Sequence, residues 1–171
     1  MASLLHESRS ESPDRAGSDT ATRILDAAEA LFIEHGFAAT SVRAIASRAC
    51  VNLGAAHYHF GSKEGLLGAV VHRRVEPLNQ GRLEALDAAE ASGAVPPVRE
   101  LVEAFFAPMQ GPGVVPIVPR LMGRLYGEPE PISRPLIERE FGETFERFAA
   151  AFGRALPGVE SADVRWRLPL E

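Results

Sequence analysis

Two histidines and the single cysteine are the side chains best suited to metal or nucleophile chemistry, but their spacing argues against both. His57 and His59 are two residues apart, which on a helix turns the two rings toward different faces. Cys50 has no second cysteine for a disulfide or a zinc site, and we interpret it as an inert turn residue rather than a redox sensor. The chain also lacks a glycine-rich phosphate loop, a G-x-S-x-G elbow and an H-E-x-x-H motif. We therefore expect a protein that is not an enzyme and that uses no metal or cofactor.

The charge distribution indicates a different chemistry, which is contact with a polyanion. The 171-residue chain has a net charge of −5, yet residues 20–75 hold six basic against four acidic side chains. A basic segment on an acidic body favours one surface that meets nucleic acid. No apolar run reaches the ~18 residues of a membrane span, and residues 1–20 lack the apolar core of a secretory signal. These features predict a cytoplasmic protein without a membrane partner.

Helices must position this basic segment, because its apolar residues recur at helical spacing. The pattern predicts a helix over residues 24–32 with Gly36 as its C-cap, a shorter helix over 42–49 and a third over 53–59. A three-residue turn, 50–52, separates the last two. Two short helices joined in this way form either a helix-turn-helix, whose second helix enters the DNA major groove, or an ordinary αα-hairpin.

The remainder of the chain is also predicted to be helical, with proline as the main interruption. A long helix is predicted to begin after Ser62 and to kink or divide at Pro77. No run alternates with period two, so strands are not expected and the fold class is predicted to be all-α. The later predicted helices span about 97–108, 114–126, 132–155 and 161 onward.

Three features of residues 22–67 are more specific than helical periodicity. They are the small-apolar helix ILDAAEALF, the Gly36-Phe37 corner and the string YHFGSKE at 58–64. Together they resemble the DNA-binding domain of the tetracycline-repressor (TetR) family. The resemblance implies a one-component transcriptional regulator, more often a repressor, that binds a palindromic double-stranded DNA operator as a homodimer. A helical protein–protein interaction module without sequence-specific DNA binding is the alternative.

The resemblance also implies the domain organisation. Residues 20–66 correspond to an N-terminal three-helix helix-turn-helix domain, and residues 67–171 to a helical effector-binding and dimerisation domain. Residues 1–19, rich in serine, arginine and acids, are predicted to form a disordered tail. Family members continue through two long C-terminal helices, whereas here the helix predicted from Ser161 meets Pro169. We therefore expect the chain to be truncated at its C-terminus.

DNA-contacting roles follow from the resemblance position by position. Arg43 corresponds to an arginine that bonds a guanine edge through O6 and N7. Thr40 and Ser41 correspond to caps that contact phosphate, and His59 and Lys63 to contacts with the DNA backbone. The face of the recognition helix comprises Asn52, Leu53, Gly54, Ala55, His57 and Tyr58.

Three positions depart from the family pattern. Cys50 stands where glycine is usual, and if a left-handed backbone is needed there, cysteine costs about 1–2 kcal/mol. His57 replaces a common tyrosine, so the base preference at that position does not carry over. Ala44 replaces the acid that would complete a capping box from Ser41.

Residues 101–152 hold six of the nine phenylalanines and are the candidate effector-binding region. The repeat Phe141, Phe145, Phe148, Phe152 at spacings of 4, 3 and 4 predicts mainly a helix-packing seam. Pockets between helices are mostly apolar with a few polar anchors, so we expect a small apolar or amphipathic effector. Similarity of VNL…YHFGSKE to the fatty-acid-responsive PsrA-type subgroup implies a fatty acid or an acyl derivative. The predicted lining is Phe105, Met109, Arg120, Leu121, Arg124, Leu125, Tyr126, Phe141 and Phe145, with Arg120, Arg124 or Tyr126 as anchors.

Overall fold

The computed structural model describes residues 13–110 and 117–157, and within these ranges every regular element is helical, which confirms the predicted all-α class. The chain divides after Leu67 into two compact units. None of the described helices is long and apolar enough to cross a membrane. The helices are α1 (Pro13–His35), α2 (Val42–Arg48), α3 (Leu53–Phe60), α4 (Lys63–Glu90), α5 (Val98–Phe106), α6 (Ile117–Tyr126) and α7 (Glu130–Ala155), with a 3-10 turn at Ala107–Gln110.

The first unit packs α1, α2 and α3 around a small apolar core. Ile24 and Phe32 of α1 and Ile45 of α2 are almost completely buried. The buried residue of α3 is Ala56, whose short side chain lets that helix approach the other two closely. Gly36 ends α1 with a φ of +82°, and its N–H donates to the Phe32 carbonyl at 2.9 Å. The predicted glycine cap of the first helix is therefore confirmed.

The predicted disordered tail is wrong for residues 13–19, which form the first turns of α1. Residues 1–12 lie outside the described part of the chain. Pro13 is well suited to the first helical position because its fixed φ matches a helix and its missing N–H would have no partner there. Once the apolar face of residues 24–32 has stabilised a helix, each further residue adds one hydrogen bond, so polar composition does not prevent the extension.

The long helix α4 begins where predicted but is not divided at Pro77. The Ser62 hydroxyl caps its first turn by accepting from the Gly65 N–H at 3.0 Å. Proline removes only one hydrogen bond, and the buried Val75 and Leu78 on either side of Pro77 keep the helix packed. The predicted division at Pro77 is therefore wrong, and the alternative, a kink at Pro77, stays a prediction.

In the second unit, α4, α5 and α7 share an apolar core made of Leu86, Leu101, Ala104, Phe148 and Ala151. Phenylalanine rings extend this core along α7. The Phe105 ring meets Phe148 edge-on with centroids 5.1 Å apart, and the Phe148 and Phe152 centroids are 6.4 Å apart. The repeat of four phenylalanines is thus a helix-packing seam, as predicted.

Prolines account for the differences between predicted and observed ends of the later helices. The predicted helix over 97–108 ends at Phe106, and the chain tightens into the 3-10 turn that contains Pro108. Pro131 lies in the first turn of α7, which starts two residues before the predicted 132. The helix predicted from 161 onward lies outside the described residues.

Cys50, between α2 and α3, has a φ of +53°, and it is the one non-glycine residue with positive φ in the described ranges. The condition under which cysteine is unfavourable at this position, a left-handed backbone, is therefore met. A side chain with a Cβ is strained in that conformation, whereas glycine is not. The thiol is exposed, so the strain is not compensated by core packing.

We expect Cys50→Gly to raise the free energy of unfolding by roughly 0.5–1 kcal/mol. The substitution relieves the backbone strain of the folded state, and this gain is larger than the loss caused by the higher conformational entropy of glycine in the unfolded chain. Urea denaturation monitored by circular dichroism measures the change. Cys50→Ala is the matched control, since it removes the sulfur but keeps the Cβ, and it should give no gain. Equal stabilisation by both substitutions would show that the backbone conformation is not the cause.

Candidate nucleic-acid interface

Helix α3 is capped at its N-terminus and is exposed to solvent along much of its length. The Asn52 side chain caps it, with Oδ1 accepting from the Ala55 N–H at 2.7 Å. Beyond Ala56, little of the helix is buried: Leu53 is 38% exposed and Tyr58 is 86% exposed. A short helix that leaves a leucine and a tyrosine side chain exposed to water presents a surface for a partner.

The predicted recognition residues on α3 have distinct surroundings. A Cβ added to Gly54 would lie 3.2 Å from Asn52 Oδ1, so a small residue protects the cap. His57 is exposed, and its Nδ1–H donates to the Gly61 carbonyl at 3.0 Å, which leaves Nε2 for a partner. His59 is partly buried, with its ring edge-on to Tyr58 at 5.3 Å. Among the residues described, no three histidine, cysteine or acidic side chains are grouped so that they could hold a metal.

Helix α2 presents an arginine from a capped first turn. Ser41 is the N-cap, with its hydroxyl oxygen accepting from the Ala44 N–H at 3.1 Å, as predicted. Arg43 is exposed at the second position of the helix and makes no hydrogen bond or ion pair within the described residues. Arg48, in contrast, pairs with Glu34 at 2.9 Å. Of these two arginines, Arg43 is the one whose donors are available.

Two residues assigned to DNA phosphates instead have partners inside the unit. Thr40 is buried, and its hydroxyl donates to the Gly36 carbonyl at 2.7 Å. The Lys63 ammonium donates to the carbonyls of Phe37 at 2.8 Å and Thr40 at 3.0 Å. It also lies 4.1 Å from the centroid of the Phe37 ring. Their contacts with DNA stay predictions. These internal bonds were not predicted from the sequence.

The turn between α2 and α3 is held by another cation, which was not predicted from the sequence. Arg23 of α1 donates from Nη2 to the carbonyl of Ala49, the C-cap of α2, at 2.5 Å, and to the carbonyl of Cys50 at 2.9 Å. Positive charge at a helix C-terminus is favourable because the last carbonyls carry partial negative charge. Arg23, Asp26, Arg48 and Cys50 also line an open surface groove of about 440 Å³ in this first unit.

The candidate effector region in the second unit is only partly assembled as predicted. Leu121 and Leu125 are buried, and the Phe141 and Phe145 rings stack with centroids 5.3 Å apart. Phe105 joins them, with its centroid 6.5 Å from that of Phe145. The three predicted anchors, in contrast, are exposed: Arg120, Arg124 and Tyr126. Partial burial of the Tyr126 ring raises the pKa of its hydroxyl.

Among the described residues of this unit the buried cation is Arg82, which was not predicted from the sequence. It is 5% exposed, and burial lowers the pKa of its guanidinium. Its Nε donates to the Phe105 carbonyl and its Nη1 to Asn79 Oδ1, both at 3.0 Å, while Nη2 lies 3.3 Å from the Met109 sulfur. The guanidinium carbon is 4.3 Å from the Phe105 ring centroid. Its spacing of four from Leu78 and Leu86 on the buried face of α4 was the available signal.

Two family models match the chain, and together they span most of it. Residues 24–70 match the model of the bacterial regulatory proteins of the tetR family. Residues 99–170 match the model of a tetracyclin repressor-like C-terminal domain. The first match includes α2, α3 and the start of α4, and therefore the whole candidate interface from Thr40 to Lys63.

Curated relatives are similar over the first of these segments. An HTH-type transcriptional repressor of Mycobacterium tuberculosis is 53% identical over 53 residues, which is 31% of this chain and 28% of that protein. The HTH-type transcriptional regulator UidR of Escherichia coli is 42% identical over 52 residues, 30% of this chain and 26% of UidR. The chain thus covers less than a third of the length of these relatives.

Solved structures extend the similarity to both units. SmeT, the repressor of the Stenotrophomonas maltophilia multidrug efflux pump SmeDEF, is 28% identical with a TM-score of 0.61, over 80% of this chain and 65% of SmeT. NalD, a repressor of the MexAB-OprM efflux pump of Pseudomonas aeruginosa, is 26% identical with a TM-score of 0.61, over 86% of this chain and 72% of NalD. With two family models, regulator relatives and repressor structures in agreement, the chain belongs to the TetR family of bacterial transcriptional regulators.

Proposed function

We propose that the chain is the DNA-reading and effector-sensing part of a one-component transcriptional repressor that acts in the cytoplasm. The observation that carries the proposal is the exposure of α3, whose Tyr58 is 86% exposed on a helix capped by Asn52. A protein–protein interaction module could also display an exposed aromatic residue. The helix-turn-helix match and the exposed Arg43 on the adjacent helix favour DNA.

In this proposal the side chains divide into base-reading and backbone-binding sets. Arg43 bonds O6 and N7 of a guanine, which fits its exposure and its lack of a partner within the described residues. Tyr58 stacks its ring on a thymine methyl or a sugar, and Nε2 of His57 bonds a base edge. Ser41 and His59 contact phosphates, which fix the register without reading sequence.

The proposed regulator acts as a homodimer on a palindromic operator. One eight-residue recognition helix reaches only a few base pairs, so useful specificity needs two copies of it. A two-fold symmetric protein matches a two-fold symmetric site, with half-sites one helical turn of DNA apart.

The proposed effector is a small amphipathic molecule with an anionic head, held in the second unit. We assign the head to Arg82 rather than to the exposed Arg120 or Arg124, since a buried cation gains more from a counter-charge than a hydrated one. Three of its five N–H donors have partners in the described residues, none of them a carboxylate. The rings of Phe105 and Phe145 would contact the apolar part of the ligand. A fatty acid or an acyl derivative fits this chemistry, while one SmeT structure is a complex with triclosan.

Arg43→Ala is expected to weaken binding by about 1–3 kcal/mol and to relax the preference at one base position in each half-site. The measurement is fluorescence anisotropy with a duplex selected from a random-sequence pool, and with single-base variants of that duplex. Arg48→Ala is the matched control, since Arg48 already pairs with Glu34, and its base preference should equal that of the unaltered protein. If Arg43→Ala binds every duplex as the unaltered protein does, the interaction-module alternative replaces this proposal.

The selected duplex should be a near-palindrome with half-sites about 34–36 Å apart, or a small multiple of that spacing. Hydroxyl-radical footprinting should show two protected half-sites, and the mass of the complex should correspond to two chains. Protection of a single asymmetric half-site by one chain would contradict the proposed assembly.

Ligand binding is expected to weaken the protein–duplex complex ~5–150-fold. Oleate, oleoyl thioester and triclosan are titrated against the complex, and release is followed by anisotropy. Arg82→Met should abolish the response to oleate, whereas Arg120→Met, an exposed arginine of the same unit, should leave it intact. Release by triclosan alone would refute the fatty-acid assignment, and an unaltered oleate response in Arg82→Met would refute the anchor.

A further inference from the structure

The loop between α1 and α2, residues 36–41, determines where α2 begins and which way it points. A seven-residue helix is not stable in isolation, so the direction of α2 depends on its packing and on the loop that enters it. Phe37 and Thr40 of this loop are buried, and Ser41 is the cap of α2. Arg43, two residues further on, has no partner within the described residues to hold its guanidinium. The orientation of Arg43 therefore depends on the conformation of the loop.

Lys63, the first residue of α4, donates hydrogen bonds to this loop. Its ammonium donates to two loop carbonyls, those of Phe37 and Thr40, so two of its three N–H donors are used. Hydrogen bonds from a charged donor are roughly twice as strong as neutral ones. The position of the ammonium over the Phe37 ring adds a cation–π contact to the same loop. Ser62 fixes the backbone from which the Lys63 side chain extends, because it caps the first turn of α4.

We infer that Lys63 is a positioning residue for sequence recognition: it holds the loop in the conformation that presents Arg43 to the base edge. The inference rests on the proposed DNA-binding function. It differs from the expectation that Lys63 neutralises a DNA phosphate, and the two roles leave different signatures. A lost phosphate contact weakens binding to all sequences alike and reduces the salt slope by about one unit. A lost positioning contact instead reduces discrimination between bases.

The test compares Lys63→Met, which keeps the length of the stem but removes the donors, with Lys63→Arg, which keeps charge and donors. Lys63→Met should lose most of the discrimination that Arg43 provides at its base position, a factor of ~5–150. The salt slope should stay unchanged. Lys63→Arg should restore most of the discrimination. Amide hydrogen exchange of residues 37–44, measured on the protein without DNA, should be faster in Lys63→Met, because the loop opens more often.

A double-substitution cycle provides the sharpest readout. If Lys63 acts through Arg43, then Arg43→Ala should have a much smaller effect in the Lys63→Met background than in the unaltered protein. A general loss of stability would not produce that coupling when binding is measured well below the unfolding temperature. Thr40→Val serves as an independent variant if Lys63→Met does not fold, since it removes the hydroxyl bond to the Gly36 carbonyl and should also reduce discrimination.

The inference is overturned if Lys63→Met lowers the salt slope by about one unit while base discrimination and loop exchange stay as they were. Additive effects of Lys63→Met and Arg43→Ala would overturn it as well. Failure of the proposed function looks different, because Arg43→Ala would then leave the base preference of the otherwise unaltered protein intact. A normal Arg43→Ala effect with unaltered discrimination in Lys63→Met rejects the positioning role alone.

Discussion

The geometry of the candidate interface depends on hydrogen bonds that two cations donate to the backbone at the two ends of α2. Lys63 bonds the carbonyls of the loop before the helix, and Arg23 bonds the carbonyls of Ala49 and Cys50 after it. Both cations come from longer helices outside the α2–α3 pair. Short helices have little stability of their own, so such external bonds define their orientation. Helix α2 is thus held at both ends by cations that belong to longer helices.

The same physical device recurs in the second unit. Arg82 lies on the buried face of α4 and donates to the carbonyl of Phe105, near the C-terminal end of α5, where the last carbonyls carry partial negative charge. The Phe105 ring and the Asn79 amide oxygen provide further neutral partners. These contacts satisfy hydrogen-bond donors but supply no full negative charge. Burying a guanidinium costs free energy unless a negative charge offsets it. Surface arginines such as Arg48 have a carboxylate partner, whereas the partners of Arg82 in the described residues are neutral.

Local patterns in the sequence predicted the elements and the caps at Gly36 and Ser41, because each depends on residues near in sequence. The inward bonds of Lys63 and Arg82 were not predicted, since they depend on residues brought near by folding. Lys63 and its acceptor at Phe37 are 26 residues apart, and Arg82 and Phe105 are 23 apart. Composition gave the wrong result at 13–19, where an established helix extended through polar residues.

The bond between His57 and Gly61 determines which hydrogen-bonding sense the histidine offers to a partner. A carbonyl oxygen only accepts, so Nδ1 carries the proton, and in the neutral imidazole Nε2 is left as an acceptor. In the major groove an acceptor complements the amino groups of adenine and cytosine, whereas O6 and N7 of guanine require a donor. A backbone carbonyl one helical turn away thus selects the tautomer, and through it the class of base edge that His57 would complement in the proposed complex.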